Sequence, residues 1–243
     1  MTSLRWLGHA SVLLELARAR VLTDPVLRSR VAHLTRRARV PAGVGTVDVV
    51  LISHVHHDHL DVPSLAALPG APPIVVPVGA GEALRKRGFD TIIELDEGRS
   101  TEVSGMRITA TPARHRARRG PFSPWVPTLG FVLDAGLRVY FAGDTDVYES
   151  MAELAPVDVA LLPVWGWGPS LGEGHLNPRT AVDALRLLRP RIAVPIHWGT
   201  FFPIYLRGPA PAHPPREFMR LASELAPDVR VCVLQPGESL PLG

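Results

Sequence analysis

Ten residues, ISHVHHDHLD at positions 52–61, carry four histidines and two aspartates. Within them His54, His56, Asp58 and His59 form the pattern H-x-H-x-D-H. A shuffled chain of this composition would show it only on the order of once in a thousand trials. In an extended segment alternate side chains share a face, so His54 and His56 can grip one ion together. Asp58 and His59 are neighbours and diverge unless the chain turns. The segment LDVPSLAAL begins just there, with Asp61 as the cap of a short helix. Such a turn aims Asp58 and His59 at a second point nearby, while alternation turns His57 away, so His57 is not expected to be a ligand. Imidazole and carboxylate without thiolate suit zinc, and manganese or iron less tightly.

Two ions need more donors than one segment supplies, and three further candidates stand at the ends of apolar runs. His54 follows DVVLIS, Asp144 follows LRVYFAG, His197 follows RIAVPI, and His115 comes shortly after MRITATP. Each emerges where a buried strand would end, the edge at which α/β proteins gather their sites. In this reading His54, His56 and His115 hold the first ion, and Asp58, His59 and His197 hold the second. Asp144 gives one oxygen to each. A hydroxide between ions ~3.5–4 Å apart is a nucleophile near neutral pH.

The elements that must position these residues are legible as short runs bounded by Gly, Pro or Asp, among them SVLLEL, PIVVPV, TIIEL, LGFVLD, DVALLPV and VRVCVL. FVLDAGLRVYF reads as a hairpin turning at Asp134, Ala135 and Gly136. Helices are expected over GEALRKRG, over NPRTAVDALRLLRP with Asn177 as cap and Pro178 at its first position, and over PREFMRLASELAP. Strands dominate the first half and alternate with helices later, so the fold class is mixed α/β. With 243 residues, 46% hydrophobic and 20% charged, and no linker, one domain over 1–243 is expected. The single cysteine, Cys232, excludes an intrachain disulfide and reads as a small core residue. No apolar run approaches ~18 residues and no secretory leader is visible, so the expectation is a cytoplasmic protein without a membrane span.

The motifs SHVHHDHLD, PARH, FAGDT and PIHWGTF together resemble the metallo-β-lactamase superfamily, and the likeness runs from WLGHASVLLE to PIHWGTF, most of the chain. Within it, GHASVLLE, LTDP, HLNPRTAV and PIHWGT are similar to the branch containing N-acylphosphatidylethanolamine phospholipase D and the ascorbate-6-phosphate lactonases. The resemblance implies a four-layer αββα sandwich, two sheets face to face with helices outside and the metals at one edge. It carries the family's metal-binding roles to His54, His56, Asp58, His59, His115, Asp144 and His197.

Other residues gain meaning from that setting. His175, in GEGHLNP, matches a histidine found near the metals in this branch. It is expected to contact a substrate oxygen or to donate a proton to the leaving group. Asp24 in VLTDP and His9 in LGHAS are expected to orient metal histidines through their second ring nitrogen. Trp165 and Trp167, in PVWGWGP, are candidates for an apolar wall suited to an acyl chain or a ring. The net charge is +3, and nearly all the positive charge is arginine, with Lys86 the one lysine. Arg28, Arg30, Arg36, Arg37 and Arg39 read as a solvated face. Arg114, Arg116, Arg118 and Arg119 flank His115 and favour phosphate or carboxylate substrates, Arg119 being the substrate candidate among them. His33 and His213 lie in loops and receive no role.

These readings lead to a hydrolase in which Asp58 orients and deprotonates a bridging water that attacks phosphorus or a carbonyl carbon. The substrate expected is a small or lipid-like anion, a phosphodiester or an ester or lactone. An RNA-processing nuclease of the same fold is the first alternative, but no RNA-binding insertion is visible, so nucleic acid is not the expected partner. A non-hydrolytic metal or redox protein is the second, although redox relatives commonly place Glu at a histidine position and this chain keeps the histidines.

Overall fold

Each β-branched run finds its partner in one of two seven-stranded sheets, and the computed structural model describes residues 2–243 of the chain. The first sheet has the order β19 (Ser239–Pro241), β1 (Ser3–Gly8), β2 (Ser11–Glu15), β3 (Arg20–Thr23), β6 (Val49–Leu51), β7 (Ile74–Pro77) and β8 (Ile92–Leu95). The second has the order β18 (Arg230–Val231), β16 (Ile192–Ile196), β15 (Val159–Pro163), β14 (Arg138–Phe141), β13 (Gly130–Asp134), β10 (Met106–Thr111) and β9 (Ser100–Val103). β3, β6, β7 and β8 pair in parallel, and so do β14, β15, β16 and β18. β10 is antiparallel to β13, which is antiparallel to β14, so β10 ends at the same edge as β14.

Strand alternation sorts the apolar residues into layers. Val49, Leu51 and Val75 turn into a core shared with Ile108, Phe131, Leu133 and Phe141 of the other sheet. Their neighbours Val50, Ile52, Ile74 and Val76 turn outward, onto Leu65 of α1 (Val62–Ala66) and Leu84 of α2 (Gly81–Arg85). On the far side α3 (Pro178–Leu188) and α4 (Pro214–Leu225) cover the second sheet, α3 burying Ala181, Val182, Ala184, Leu185 and Leu188 along one stripe. The result is the four-layer αββα sandwich.

The helix starts follow the capping chemistry of the sequence. Asp61 accepts from the amide of Ser64 at the start of α1. Asn177 accepts from the amides of Arg179 and Thr180, while Thr180 Oγ1 accepts from the Asn177 amide, a reciprocal capping box. The hairpin at 134–136 forms between β13 and β14, with Gly136 at φ 86° supplying the turn. Cys232 is half-buried against the core.

Two small sheets were not foreseen, because strands of two or three residues are too short to show alternation. β4 (Arg30–Val31), β5 (Leu34–Arg36) and β17 (Phe201–Pro203) make one, and β11 (Ala117–Arg118) with β12 (Trp125–Val126) the other. A 3₁₀ turn over Glu149–Leu154 was also missed. The reading of Arg28 to Arg39 as a solvated face is corrected at Arg36, which is 6% exposed. Its guanidinium donates to backbone carbonyls instead of meeting water. Arg28 stays exposed while forking onto Asp61 at 2.9 and 2.8 Å.

The α3 cap gives a direct test. Asn177→Ala is expected to lower unfolding stability by about 1 kcal/mol, read as a lower urea midpoint. Asn177→Asp, which keeps the acceptor, is expected to retain most of it.

Candidate metal centre

The parallel strands end on a common edge, and the sequence-nominated residues emerge there. Asp24 directly follows β3, His54 follows β6, Asp144 follows β14 and His197 follows β16, while His115 lies in the loop after β10. Three of the turns are left-handed at non-glycine residues: His9 at φ 55°, Asp24 at 33° and His197 at 64°. Such conformations cost of order 1–3 kcal/mol each and persist where neighbours over-determine them. After His54 the chain closes a tight turn, the amides of His59 and Leu60 both donating to the His56 carbonyl, which swings Asp58 and His59 inward. His57 is left exposed.

The side chains fall into two groups joined by one carboxylate. His54 Nε2 lies 3.0 Å from His56 Nδ1, and His115 Nε2 lies 3.3 Å from the same atom. His59 Nε2 lies 3.0 Å from His197 Nε2 and 3.8 Å from Asp58 Oδ2. Asp144 stands between the groups. Its Oδ2 is 3.2 Å from His59 Nε2, 3.9 Å from His54 Nε2 and 3.3 Å from His175 Nε2, and its Oδ1 is 3.2 Å from His197 Nε2. Donors ~2.0–2.2 Å from one tetrahedral zinc would sit about 3.3–3.5 Å apart, close to the spacing within each group.

Whether this donor set fits cations is decided by where its protons are. His197 Nδ1 donates to the Trp165 carbonyl at 2.9 Å, so the Nε2 of its neutral ring is a bare lone pair. That lone pair faces Asp144 Oδ1, a buried oxygen that receives no hydrogen bond. Two electron-rich atoms so close repel unless a cation lies against both. In the first group His54 Nδ1 is spent on Ser53 Oγ and His115 Nδ1 on the Gly174 carbonyl, so both present Nε2 lone pairs inward. The residues present fit bound metal cations.

Electrostatics agrees at three of the imidazoles and differs at His59. Burial holds His54 and His197 well below the ordinary imidazole range and pushes His115 down to about 4, keeping them neutral as ligands must be. Burial would raise Asp58 and Asp144, yet the surrounding imidazoles outweigh it and hold both carboxyls well below their usual range. Burial also opposes charge on His59, but Asp144 and Asp24 on either side outweigh it and raise it.

Asp24 and His9 sit behind the donors. Asp24 is fully buried and accepts three hydrogen bonds: from the Ser53 amide at 2.7 Å, from Ser53 Oγ at 2.6 Å and from His59 Nδ1 at 2.6 Å. Ser53 Oγ in turn accepts from His54 Nδ1 at 2.9 Å, so one carboxylate aims a histidine of each group. The sequence reading missed Ser53, although it immediately precedes His54 in the motif. His9 Nε2 donates to Asp58 Oδ2 at 3.1 Å, and its ring lies 3.9 Å from that of His197.

His175 Nδ1 meets the carbonyls of Gly172 and Glu173, so its Nε2 faces Asp144. Trp165 is half-buried and lends its carbonyl to His197. Trp167 packs beside Val26, Val31, Leu34 and Phe201, its ring edge-on to His33 at 5.0 Å. Arg119 Nη1 donates to the carbonyls of Val55 and Leu60, bracing the two ends of the loop that carries His56, Asp58 and His59. Arg116 and Arg118 instead flank the Trp125 ring at 4.5 and 4.9 Å.

A family model described as the Beta-lactamase superfamily domain matches residues 19–198. An uncharacterized protein of Mycobacterium tuberculosis is 36% identical over 256 residues, covering 96% of this chain and 67% of its own length. A metal-dependent hydrolase of Thermococcus onnurineus is 33% identical over 248 residues, with all of both chains covered. Among solved structures, a metallo hydrolase from Ignicoccus hospitalis matches with a TM-score of 0.76 at 26% identity, over 98% of this chain and 97% of that one.

The Asp24 geometry generates a paired prediction. Asp24→Asn is expected to weaken zinc binding to both groups by roughly 10–100-fold. Ser53→Ala is expected to weaken chiefly the group of His54, His56 and His115. Chelator competition with metal counting by mass spectrometry separates the two, and equal losses at both sites in Ser53→Ala would contradict the relay.

Proposed function

Because this chain belongs to the β-lactamase superfamily and is a metal-dependent hydrolase, we propose that it acts as a dinuclear, zinc-loaded phosphodiesterase on a small or lipid-like anionic substrate. The observation that carries this reading is Asp144, one carboxylate within 3.2 Å of His59 and His197 and 3.9 Å of His54, reaching both groups of donors at once. His54, His56 and His115 would hold one ion, and Asp58, His59 and His197 the other, with Asp144 shared. Bound there, the ions would supply a hydroxide nucleophile near neutral pH and offset the charge that develops on the attacked group.

The chain's own residues supply the rest. Asp58, kept ionised and fixed by His9, is placed to orient the attacking water and take up its proton. His175 has its Nδ1 spent on backbone carbonyls. Burial opposes charge on the ring, but Asp144 outweighs it and raises its pKa, so the protonated ring has an Nε2–H for a substrate oxygen or for the leaving group. Arg114, Arg116 and Arg118 are exposed around His115 and favour an anion over a neutral ester. The half-buried face of Trp165 offers an apolar contact for an acyl chain or ring.

Zinc-reconstituted protein assayed on a bis-aryl phosphate, a lactone, an N-acylphosphatidylethanolamine and RNA tests the proposal. Turnover of the diester is expected, with loss of more than about a hundredfold in His54→Ala, a first-sphere change exceeding the usual outer-sphere loss. His175→Ala is expected to lower kcat by about a hundredfold or more with two zinc ions retained. Turnover confined to the lactone would move the substrate class to esters. Full activity in His54→Ala would remove the metal reading.

A further inference from the structure

Arg36 is a buried cation that the chemistry above does not use. It lies at the end of β5 opposite Phe201 of β17, its guanidinium 4.8 Å from the centre of that ring. Among the described residues no carboxylate pairs with it, and burial brings its pKa down to about 10, so it remains charged at neutral pH. A charge in such a place is costly unless every donor is matched. Its partners are carbonyls: Nη1 donates to Leu7 at 3.1 Å, Nε to Arg28 at 3.2 Å, and Nη2 to Val26.

Two of those carbonyls border the strained turns behind the metal donors. Leu7 precedes Gly8, at φ 104°, and His9, at φ 55°. The β1–β2 register slips between Trp6 and Gly8, a bulge that frees Leu7 from the ladder. Val26 lies two residues after Asp24, at φ 33°. His9 steers Asp58, and Asp24 steers His59 and Ser53. The fit leaves no slack, because a Cβ on Gly8 would lie 2.8 Å from Arg36 Nη1 and 2.9 Å from the Thr200 methyl.

We propose that Arg36 is a positioning residue for the metal centre: its planar fork clasps the Leu7 and Val26 carbonyls, locking the two left-handed turns that present His9 and Asp24. The guanidinium suits this because its donors diverge at fixed angles, so one group clasps both turns, which the β2–β3 ladder and Ser11 also tie together. Lysine would bring the charge but only a point donor, and methionine only the stem. This inference rests on the reading of the cluster as a metal centre.

The test compares zinc affinity, by chelator competition, in the wild type, Arg36→Met and Arg36→Lys, with amide hydrogen exchange on the same zinc-free proteins. Arg36→Met is expected to bind zinc at least about tenfold more weakly, an outer-sphere loss. Its exchange is expected to speed up at the His9 and Val26 amides while the β15 amides keep their wild-type protection. Arg36→Lys is expected to lose affinity as well, and low concentrations of guanidinium are expected to restore part of it in Arg36→Ala. A purely structural tie would slow or speed exchange throughout the fold and would not respond to guanidinium. A folded Arg36→Met with wild-type zinc affinity overturns the inference. If Arg36→Met does not fold, wild-type affinity in Arg36→Lys does so instead. A wild type that binds no zinc defeats the metal reading and this inference together, whereas the variant results defeat the inference alone.

Discussion

The site depends on a single constraint: a carboxylate buried away from bulk solvent must have its lone pairs met by donors or by cations. Asp24 meets that requirement with three hydrogen bonds, and each fixes something else. The Ser53 amide ties the end of β6 to the end of β3. Ser53 Oγ sets the His54 tautomer, and His59 Nδ1 sets the other group's. Asp144 meets it differently, since its Oδ1 faces a histidine whose only proton is committed elsewhere. One carboxylate is satisfied by the protein, and the other keeps an oxygen that no protein group meets.

That division explains three of the seven left-handed non-glycine residues found among those described. His9, Asp24 and His197 adopt left-handed conformations at the ends of strands, where an ordinary turn would use glycine. A glycine would relieve the backbone but remove the side chain that the turn exists to present. The strain is held by bonds from outside the turns: Thr200 Oγ1 takes the His9 amide, the His9 carbonyl takes the His197 amide, and Arg36 takes the carbonyls beside His9 and Asp24. Loops carry the donors, yet the loops are as determined as the sheets.

How much of this could be read from the sequence follows from the range of the interactions. The helices over 178–188 and 214–225 and the hairpin at 134–136 are local, written in a cap, a proline or a glycine, and they form where the sequence placed them. The motif at 54–59 is local too, and the rule that donors follow buried strands carried the reading on to His115, Asp144 and His197. What stayed hidden depends on partners far away in the chain. Ser53 looks like any loop serine until Asp24 arrives. Arg36 looks like one more basic residue in RRAR until β17 folds Phe201 beneath it. Arg119 sits in an arginine run, yet its partners are carbonyls about sixty residues upstream. Charge composition cannot distinguish an arginine that faces water from one that closes a loop.

Charge also links the number of ions to the kind of substrate. The centre gathers three buried carboxylates, Asp24, Asp58 and Asp144, and burial keeps His54, His115 and His197 neutral. One divalent ion would leave the cluster with a net negative charge, and an anionic substrate would meet repulsion at short range, where screening is weak. A second cancels that charge once the hydroxide is counted, and the exposed guanidiniums of Arg114, Arg116 and Arg118 add positive charge around His115. A dinuclear centre and an anionic substrate are therefore one hypothesis in electrostatic terms. The shared Asp144 carboxylate carries it, since it provides for the second ion without adding a fourth buried negative charge.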